Sequence, residues 1–154
     1  ENDLEDDSWV VIVNDIEKLK NGNRYSFPLR IEQANIKKPM VLLGFEFSQK
    51  NFGSPDWGIV RRNESVKFSV LRDNSEIKEL LDSVENILTS QNQWWLKHDF
   101  FYKGDFCEKV IGYESVDMAA ADFSTNFLRI FNNYKEVISK CNEVQSGLAK
   151  DLKK

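Results

Sequence analysis

The sequence predicts an α+β fold: a small antiparallel sheet packed against helices, with a long, heptad-patterned helix towards the C-terminal end. Two observations lead to this prediction. All three prolines, Pro28, Pro39 and Pro55, lie in the first 55 residues, as expected for strands joined by turns. From residue 73 onwards, the apolar residues recur at helical spacing. We therefore expect a sheet-rich half at 24–72 and a helical half at 73–154.

Composition and charge indicate one domain with a short acidic tail. The chain has 154 residues, of which 41% are hydrophobic and 30% charged, as in ordinary globular proteins. Residues 1–7 contain five acids and no base, so we expect this tail to be solvated and disordered. Residues 8–154 form the predicted domain and carry 21 bases and 20 acids. Such a nearly neutral body lacks the basic excess typical of nucleic-acid-binding domains.

The two cysteines, Cys107 and Cys141, lack the spacing of a metal site, and we interpret them as reduced thiols of a cytoplasmic protein. A single disulfide between them is the alternative. No apolar run approaches the roughly 20 residues of a membrane span, and no signal peptide is visible. The chain begins with Glu1, which is compatible with a domain cut from a longer protein.

Segment 8–20 carries two competing patterns. Helical spacing relates Trp9, Ile12, Val13, Ile16 and Leu19. The β-branched run at 10–13 instead favours a strand. We prefer a helix, because Ser8 can cap it and Asn21-Gly22 can end it.

Four segments predict strands. Apolar and polar residues alternate over 25–31, and Pro28 places that strand at a sheet edge, since proline cannot donate to a ladder. The mostly apolar segment 40–47 predicts a central strand. Segments 57–61 and 66–71 predict a hairpin, and the whole sheet should have three to five strands.

The predicted helices follow. A helix is expected at about 74–90, with Asp73 and Glu76 as a capping-box pair and either Asp73 or Asn74 as the cap. Its buried stripe would consist of Ile77, Leu80, Leu81, Val84, Ile87 and Leu88. Residues 91–114 should be irregular or contain a short helix.

The last helix has the strongest pattern in the chain. Ten apolar residues alternate in steps of four and three: Val116, Ala120, Phe123, Phe127, Ile130, Tyr134, Val137, Cys141, Val144 and Leu148. The helix would span roughly 33 residues, or about 50 Å. A stripe widened by Phe131 and Ile138 favours packing against the domain's own core. The alternative is a helix–helix interface over the distal half, formed by Tyr134, Val137, Cys141, Val144 and Leu148.

An aromatic cluster lies between the two predicted helices, beside Lys97, His98 and Lys103. It consists of Trp94, Trp95, Phe100, Phe101, Tyr102 and Phe106. We interpret it first as core, second as a protein interface and third as a platform on which single-stranded bases stack.

Residues able to carry chemistry are few. His98 is the only histidine, and a structural role is the simplest interpretation, so we predict no catalytic residue, metal ligand or cofactor. Asp56, Glu76 and Lys78 match the short sequence motif of PD-(D/E)XK nucleases, in which two carboxylates converge on Mg²⁺. We regard this match as chance, because Glu76 should begin a helix rather than lie on a strand.

Several short motifs together resemble the C-terminal part of bacterial PD-(D/E)XK-superfamily nuclease-like proteins of unknown function. They are Tyr25-Ser-Phe-Pro-Leu-Arg-Ile31, Leu43-Gly-Phe-Glu-Phe47, Trp57-Gly-Ile59 and Trp94-Trp95, followed by a long terminal helix. The resemblance covers residues 24–150. It implies a non-catalytic accessory part, with the catalytic residues upstream, and assigns no site residue to this chain.

The functional expectation is therefore a non-enzymatic interaction or accessory module of a bacterial or phage-like intracellular protein. It would bind a protein partner, or a second copy of itself, through the aromatic cluster, the long helix or both. Nucleic acid is a weaker candidate partner, and a membrane is not expected. The alternatives are a metal-dependent nuclease or nuclease accessory domain, and a sensor with a small-ligand pocket between sheet and helices.

Overall fold

The computed structural model confirms the predicted α+β class. It describes residues 7–14, 27–36, 41–47, 55–62, 65–101 and 106–151. The predicted acidic tail, apart from Asp7, lies outside these ranges. No helix in the described ranges is long and apolar enough to cross a membrane.

Five strands and four helices make up the described part of the chain. The strands are β1 (Trp9–Val13), β2 (Leu29–Gln33), β3 (Val41–Phe47), β4 (Pro55–Arg61) and β5 (Trp95–Phe100). The helices are α1 (Phe68–Asp73), α2 (Ser75–Ser83), α3 (Phe106–Ile111) and α4 (Val116–Asp151). The strands form one antiparallel sheet in the order β1-β2-β3-β4-β5.

The prediction of a helix at 8–20 is wrong, because residues 9–13 of this segment form strand β1. The strand pairs with β2 from Trp9 opposite Gln33 to Val13 opposite Leu29. The β-branched run decided the local structure, because period-two alternation brings Trp9 and Val11 against the core. Residues 15–20 lie outside the described ranges.

The edge position predicted for the strand at 25–31 is also wrong. Strand β2 lies between β1 and β3, and Pro28 precedes it, so the missing N–H costs no ladder hydrogen bond. The Pro28 carbonyl instead accepts a hydrogen bond of 2.9 Å from the backbone N–H of Asn14. The central position predicted for segment 40–47 is confirmed, since β3 is the third of the five strands.

The hairpin predicted around residues 62–65 does not form. Residues 68–73 are helix α1, and β4 pairs with β5 instead, from Asp56 opposite Phe100 to Val60 opposite Trp95. The buried residues Phe68 and Leu71 are three positions apart, which places them on one face of a helix but on opposite faces of a strand. Strand β5 lies in a segment that was expected to be irregular.

The helix predicted at 74–90 is shorter, because α2 ends at Ser83. Its N-cap is Asn74, whose side-chain oxygen accepts a hydrogen bond of 3.1 Å from the backbone N–H of Ile77. Leu88 is nevertheless fully buried, and its backbone N–H donates to the Tyr134 hydroxyl at 3.2 Å.

Helices α1, α2 and α4 cover one face of the sheet, and the main core lies between these two layers. The predicted long helix is confirmed: α4 has 36 residues, a length of about 54 Å. Its buried residues are Ala119, Phe127, Ile130, Phe131, Tyr134, Val137, Ile138, Cys141, Asn142 and Gln145. A second, smaller cluster consists of Phe27, Leu42, Val60 and Trp95.

Candidate functional site

The structure divides the aromatic cluster instead of presenting it as one surface. Trp95 is buried, whereas Trp94 and Phe100 are 37% and 36% exposed. Phe101 is partly buried and packs against the main core. Tyr102 lies outside the described ranges, and Phe106 begins α3.

The candidate interface on the distal half of α4 is mostly core. Tyr134, Val137 and Cys141 are fully buried, and Val144 is half-buried against the same core. Leu148 is 41% exposed. These distal residues of the heptad stripe therefore pack in or against the core. Leu148 alone among them has substantial contact with solvent.

A buried polar pair lies at the β4–β5 junction. The Nδ1 atom of His98 lies 3.0 Å and 3.2 Å from the two carboxylate oxygens of Asp56. The Nε2 atom of His98 lies 3.4 Å from the side-chain nitrogen of Asn92, which can only donate. In the neutral imidazole, Nε2 therefore accepts, and Nδ1 carries the proton donated to Asp56.

Local backbone geometry makes this pair possible. Gly58 lies opposite His98, and a Cβ atom added at Gly58 would lie 2.7 Å from the His98 Cα atom. Only glycine allows the two strands to approach so closely at this point. Asp56 is two residues from Gly58 on the same strand and therefore faces the same side of the sheet.

Glu46 adds a second carboxyl group to this polar pair. It lies directly opposite Asp56 in the β3–β4 register. Burial, and then the charge of Asp56, raise the pKa of Glu46 to about 7. Burial also raises the pKa of Asp56, although the neighbouring His98 offsets part of that effect. The two carboxyl groups therefore do not both ionise readily near neutral pH.

Asp56 and His98 are buried, and only 4% and 9% of their respective surfaces are exposed. The carboxyl group that contacts the His98 imidazole belongs to Asp56. No sequence signal could show this, because 42 positions separate the two residues.

The residues that match the nuclease motif do not converge on one site. Trp57, next to Asp56, packs on Phe127 of α4, so Asp56 points to the opposite face of the sheet. Glu76 forms an ion pair with Lys140 of α4, on the helical side. Within the described ranges, no group of three His, Cys, Asp or Glu residues is arranged to hold a metal ion.

An apolar groove lies where α3 meets the beginning of α4. It has a volume of about 330 Å³ and is lined by Phe101, Val110, Tyr113, Val116, Ala119, Ala120, Phe123 and Ser124. Phe101 and Phe123 pack edge to face, with ring centroids 5.4 Å apart, and form its floor. Val116 in the groove and Ile111 beside it are 73% and 80% exposed.

The surroundings of the apolar groove are acidic. Glu108, Glu114 and Asp117 are exposed near it, and the Tyr113 hydroxyl donates a short hydrogen bond to Asp122. Lys109 is the one base in α3, and its ammonium group lies 5.1 Å from the centre of the Tyr113 ring. A ligand for this surface would therefore combine apolar side chains with positive charge.

The sequence contained part of the signal for this groove. Val116, Ala120 and Phe123 are the first three residues of the predicted heptad stripe. The stripe could not show that Val116 and Ala120 remain exposed while the later heptads enter the core, because that depends on where the sheet ends.

Comparison with family models, with curated proteins and with solved structures finds no match for this chain.

Proposed function

We propose that this chain is a non-enzymatic interaction module that binds a segment of a partner protein in the apolar groove. The observation that carries the proposal is the exposed, almost wholly apolar lining between α3 and α4. Contiguous apolar surface of this kind is uncommon on proteins without partners and often marks an interaction site. Phe101 connects the groove with the aromatic cluster from which an interface was expected.

The chemistry of the groove selects the kind of partner. An amphipathic segment would insert apolar side chains against Phe101 and Phe123, in the manner of a helix in a groove. Lysine or arginine residues flanking those side chains would face Glu114 and Asp117. Charge complementarity of this kind mainly sets specificity and association rate, while the apolar contacts supply most of the affinity.

A titration with synthetic peptides tests this proposal. The probe is a basic amphipathic helical peptide of Leu and Lys, and a Leu/Glu peptide of equal length is its control. Backbone amide shifts in the NMR spectrum should change at Val110, Val116 and Ala120 on adding the Leu/Lys peptide. The Leu/Glu peptide should bind at least about tenfold more weakly, because it adds like charge to an acidic rim.

Two matched variants locate the binding. Val116→Glu places a charge inside the groove, whereas Met118→Glu places the same charge on an exposed residue of α4 that does not line it. Val116→Glu should abolish the shift changes, and Met118→Glu should preserve them. Equal binding by both variants, or unchanged groove signals with the unmodified chain, would refute the proposal.

A further inference from the structure

A second concave surface, here named the basic basin, lies at the other end of β5. It has a volume of about 550 Å³ and is lined by Arg61, Lys67, Phe68, Ser69, Arg72, Gln91, Asn92 and Gln93. It shares no residue with the apolar groove. The end of β4, helix α1 and the turn before β5 together form its walls.

Among the described residues, the basin is lined by positive charge alone. Three of its lining residues are cations and none is an acid. Arg61, Lys67 and Arg72 take part in none of the ion pairs formed among the described residues. A concave surface with clustered positive charge attracts anions.

Arg72 is held in place by carbonyl groups and not by a carboxylate. One of its terminal nitrogens donates to the backbone oxygens of Asn92 and Trp95, at 2.6 Å and 2.8 Å. Its Nε atom is buried without a hydrogen-bond partner among the described residues, and burial lowers the pKa of the guanidinium. Arg72 is half-buried, and a bound anion would offset the cost of partly removing its charge from water.

Arg61 repeats this arrangement across the basin. It donates one hydrogen bond of 2.9 Å to the Val66 carbonyl, and its buried Nε atom has no partner in the described part of the chain. Its guanidinium carbon lies 4.9 Å from the centre of the Trp94 ring, which is partly exposed. Two guanidinium groups, each oriented by hydrogen bonds to backbone carbonyls, therefore line the same concave surface.

The turn before β5 orients the polar side of the basin. The side-chain oxygen of Asn92 accepts hydrogen bonds from the backbone N–H groups of Trp94 and Trp95, at 2.8 Å and 3.0 Å. This turn places Gln91 and Gln93 beside the cations, so amide groups line the basin as well. Side-chain amides both donate and accept hydrogen bonds, as recognition of a nucleobase edge requires.

We propose that the basic basin binds a nucleoside phosphate, with Arg61, Lys67 and Arg72 holding the phosphate and the amides of Gln91 and Gln93 receiving the base. Guanidinium groups match phosphate geometry through paired hydrogen bonds. A volume of about 550 Å³ is in the range of organic-ligand pockets. A free mononucleotide and a single-stranded nucleic acid present this same chemistry, and this proposal does not depend on the apolar groove.

Calorimetric titration of the full 154-residue chain tests the proposal. The probes are adenosine monophosphate, inorganic phosphate and a short oligothymidylate strand at low ionic strength. Saturable binding of adenosine monophosphate, tighter than that of inorganic phosphate, would identify a free nucleotide as the ligand. Binding of the oligothymidylate alone, weakening steeply with salt, would identify a nucleic acid and would also support the proposal.

Two charge-reversal variants keep this test specific. Lys67 is exposed, and its side chain makes no capping hydrogen bond to α1, so Lys67→Glu should leave the thermal midpoint nearly unchanged. Lys78→Glu makes the same change on an exposed residue of α2 outside the basin. Lys67→Glu should weaken binding by at least about tenfold, and Lys78→Glu by less than about twofold. Absence of saturable binding by all three probes, or equal losses in the two variants, would overturn the proposal.

Discussion

At the scale of single residues, Glu46 is a carboxyl group whose ionisation opposes folding. Its pKa rises from an ordinary value of 4.5 to about 7 because it is buried next to Asp56. The folded chain therefore binds the Glu46 proton more tightly than the unfolded chain does. Its contribution to the free energy of unfolding is largest below pH 4.5 and declines as the pH rises to about 7.

Glu46→Gln should remove this decline. The variant should be more stable than the unmodified chain at pH 8 by roughly 1–3 kcal/mol, and the difference should shrink below pH 5. Urea denaturation at several pH values measures it. Glu79→Gln, on an exposed residue of α2, is the control and should leave the pH profile unchanged. A Glu46→Gln profile parallel to that of the unmodified chain would contradict the expected burial of this carboxyl group.

Residue types alone could not reveal this polar site. A single histidine and scattered acids are consistent with an ordinary surface. The actual pairing depends on the β4–β5 register and on the close approach at Gly58. The basin cations could not be grouped from the sequence either, because Arg61 and Arg72 come together only through α1 and the turn at Asn92.

At the scale of elements, one asparagine attaches the long helix to the sheet. The Asn142 side chain accepts a hydrogen bond of 2.9 Å from the backbone N–H of Val41 and donates one of 3.0 Å to its carbonyl. It also donates to the Gln33 side chain at 2.8 Å. These bonds fix α4 at the start of β3, where the sheet backbone meets the helical layer.

Asn142→Ala should therefore be strongly destabilising. It leaves two buried backbone groups of Val41 without partners, and we expect a loss of about 2–4 kcal/mol in the free energy of unfolding. Chemical denaturation measures this loss. Asn132→Ala, at an exposed position of α4, is the matched control and should change the stability by less than about 0.5 kcal/mol. Similar effects at both positions would mean that the Asn142 side chain does not attach α4 to β3.

The longest pattern in the chain gave a correctly predicted element. The heptad stripe runs through four repeats, so α4 could be recognised from the sequence alone. Segments 8–20 and 66–71 are short and rich in apolar residues, so helical and extended spacings could both be found in them. Pairing with β2 decided the first segment, and burial of Phe68 and Leu71 against the core decided the second.

At the scale of the whole molecule, Cys141 reports on the integrity of the core. Its thiol is fully buried, and burial raises its pKa to about 12. In a Cys107→Ser background, a thiol reagent should therefore label Cys141 only when the core opens. We expect labelling in buffer to be at least about 10³-fold slower than in denaturant.

Fast labelling in buffer would have a specific meaning. It would show that the distal part of α4 separates from the sheet while the rest remains folded. The helix interface predicted for Tyr134, Val137 and Cys141 would then become accessible to a partner. Slow labelling that follows global unfolding would keep these residues in the core.

The position of α4 in the chain affects how the protein is made. All five strands precede this helix, yet it covers their apolar face, and Asn142 bonds to a strand residue 101 positions earlier. A ribosome adds roughly 5–20 residues per second, so the 36 residues of α4 take about 2–7 s to synthesise. During that interval the nascent sheet has an uncovered apolar face. Chaperone binding to the emerging chain would matter most during those seconds.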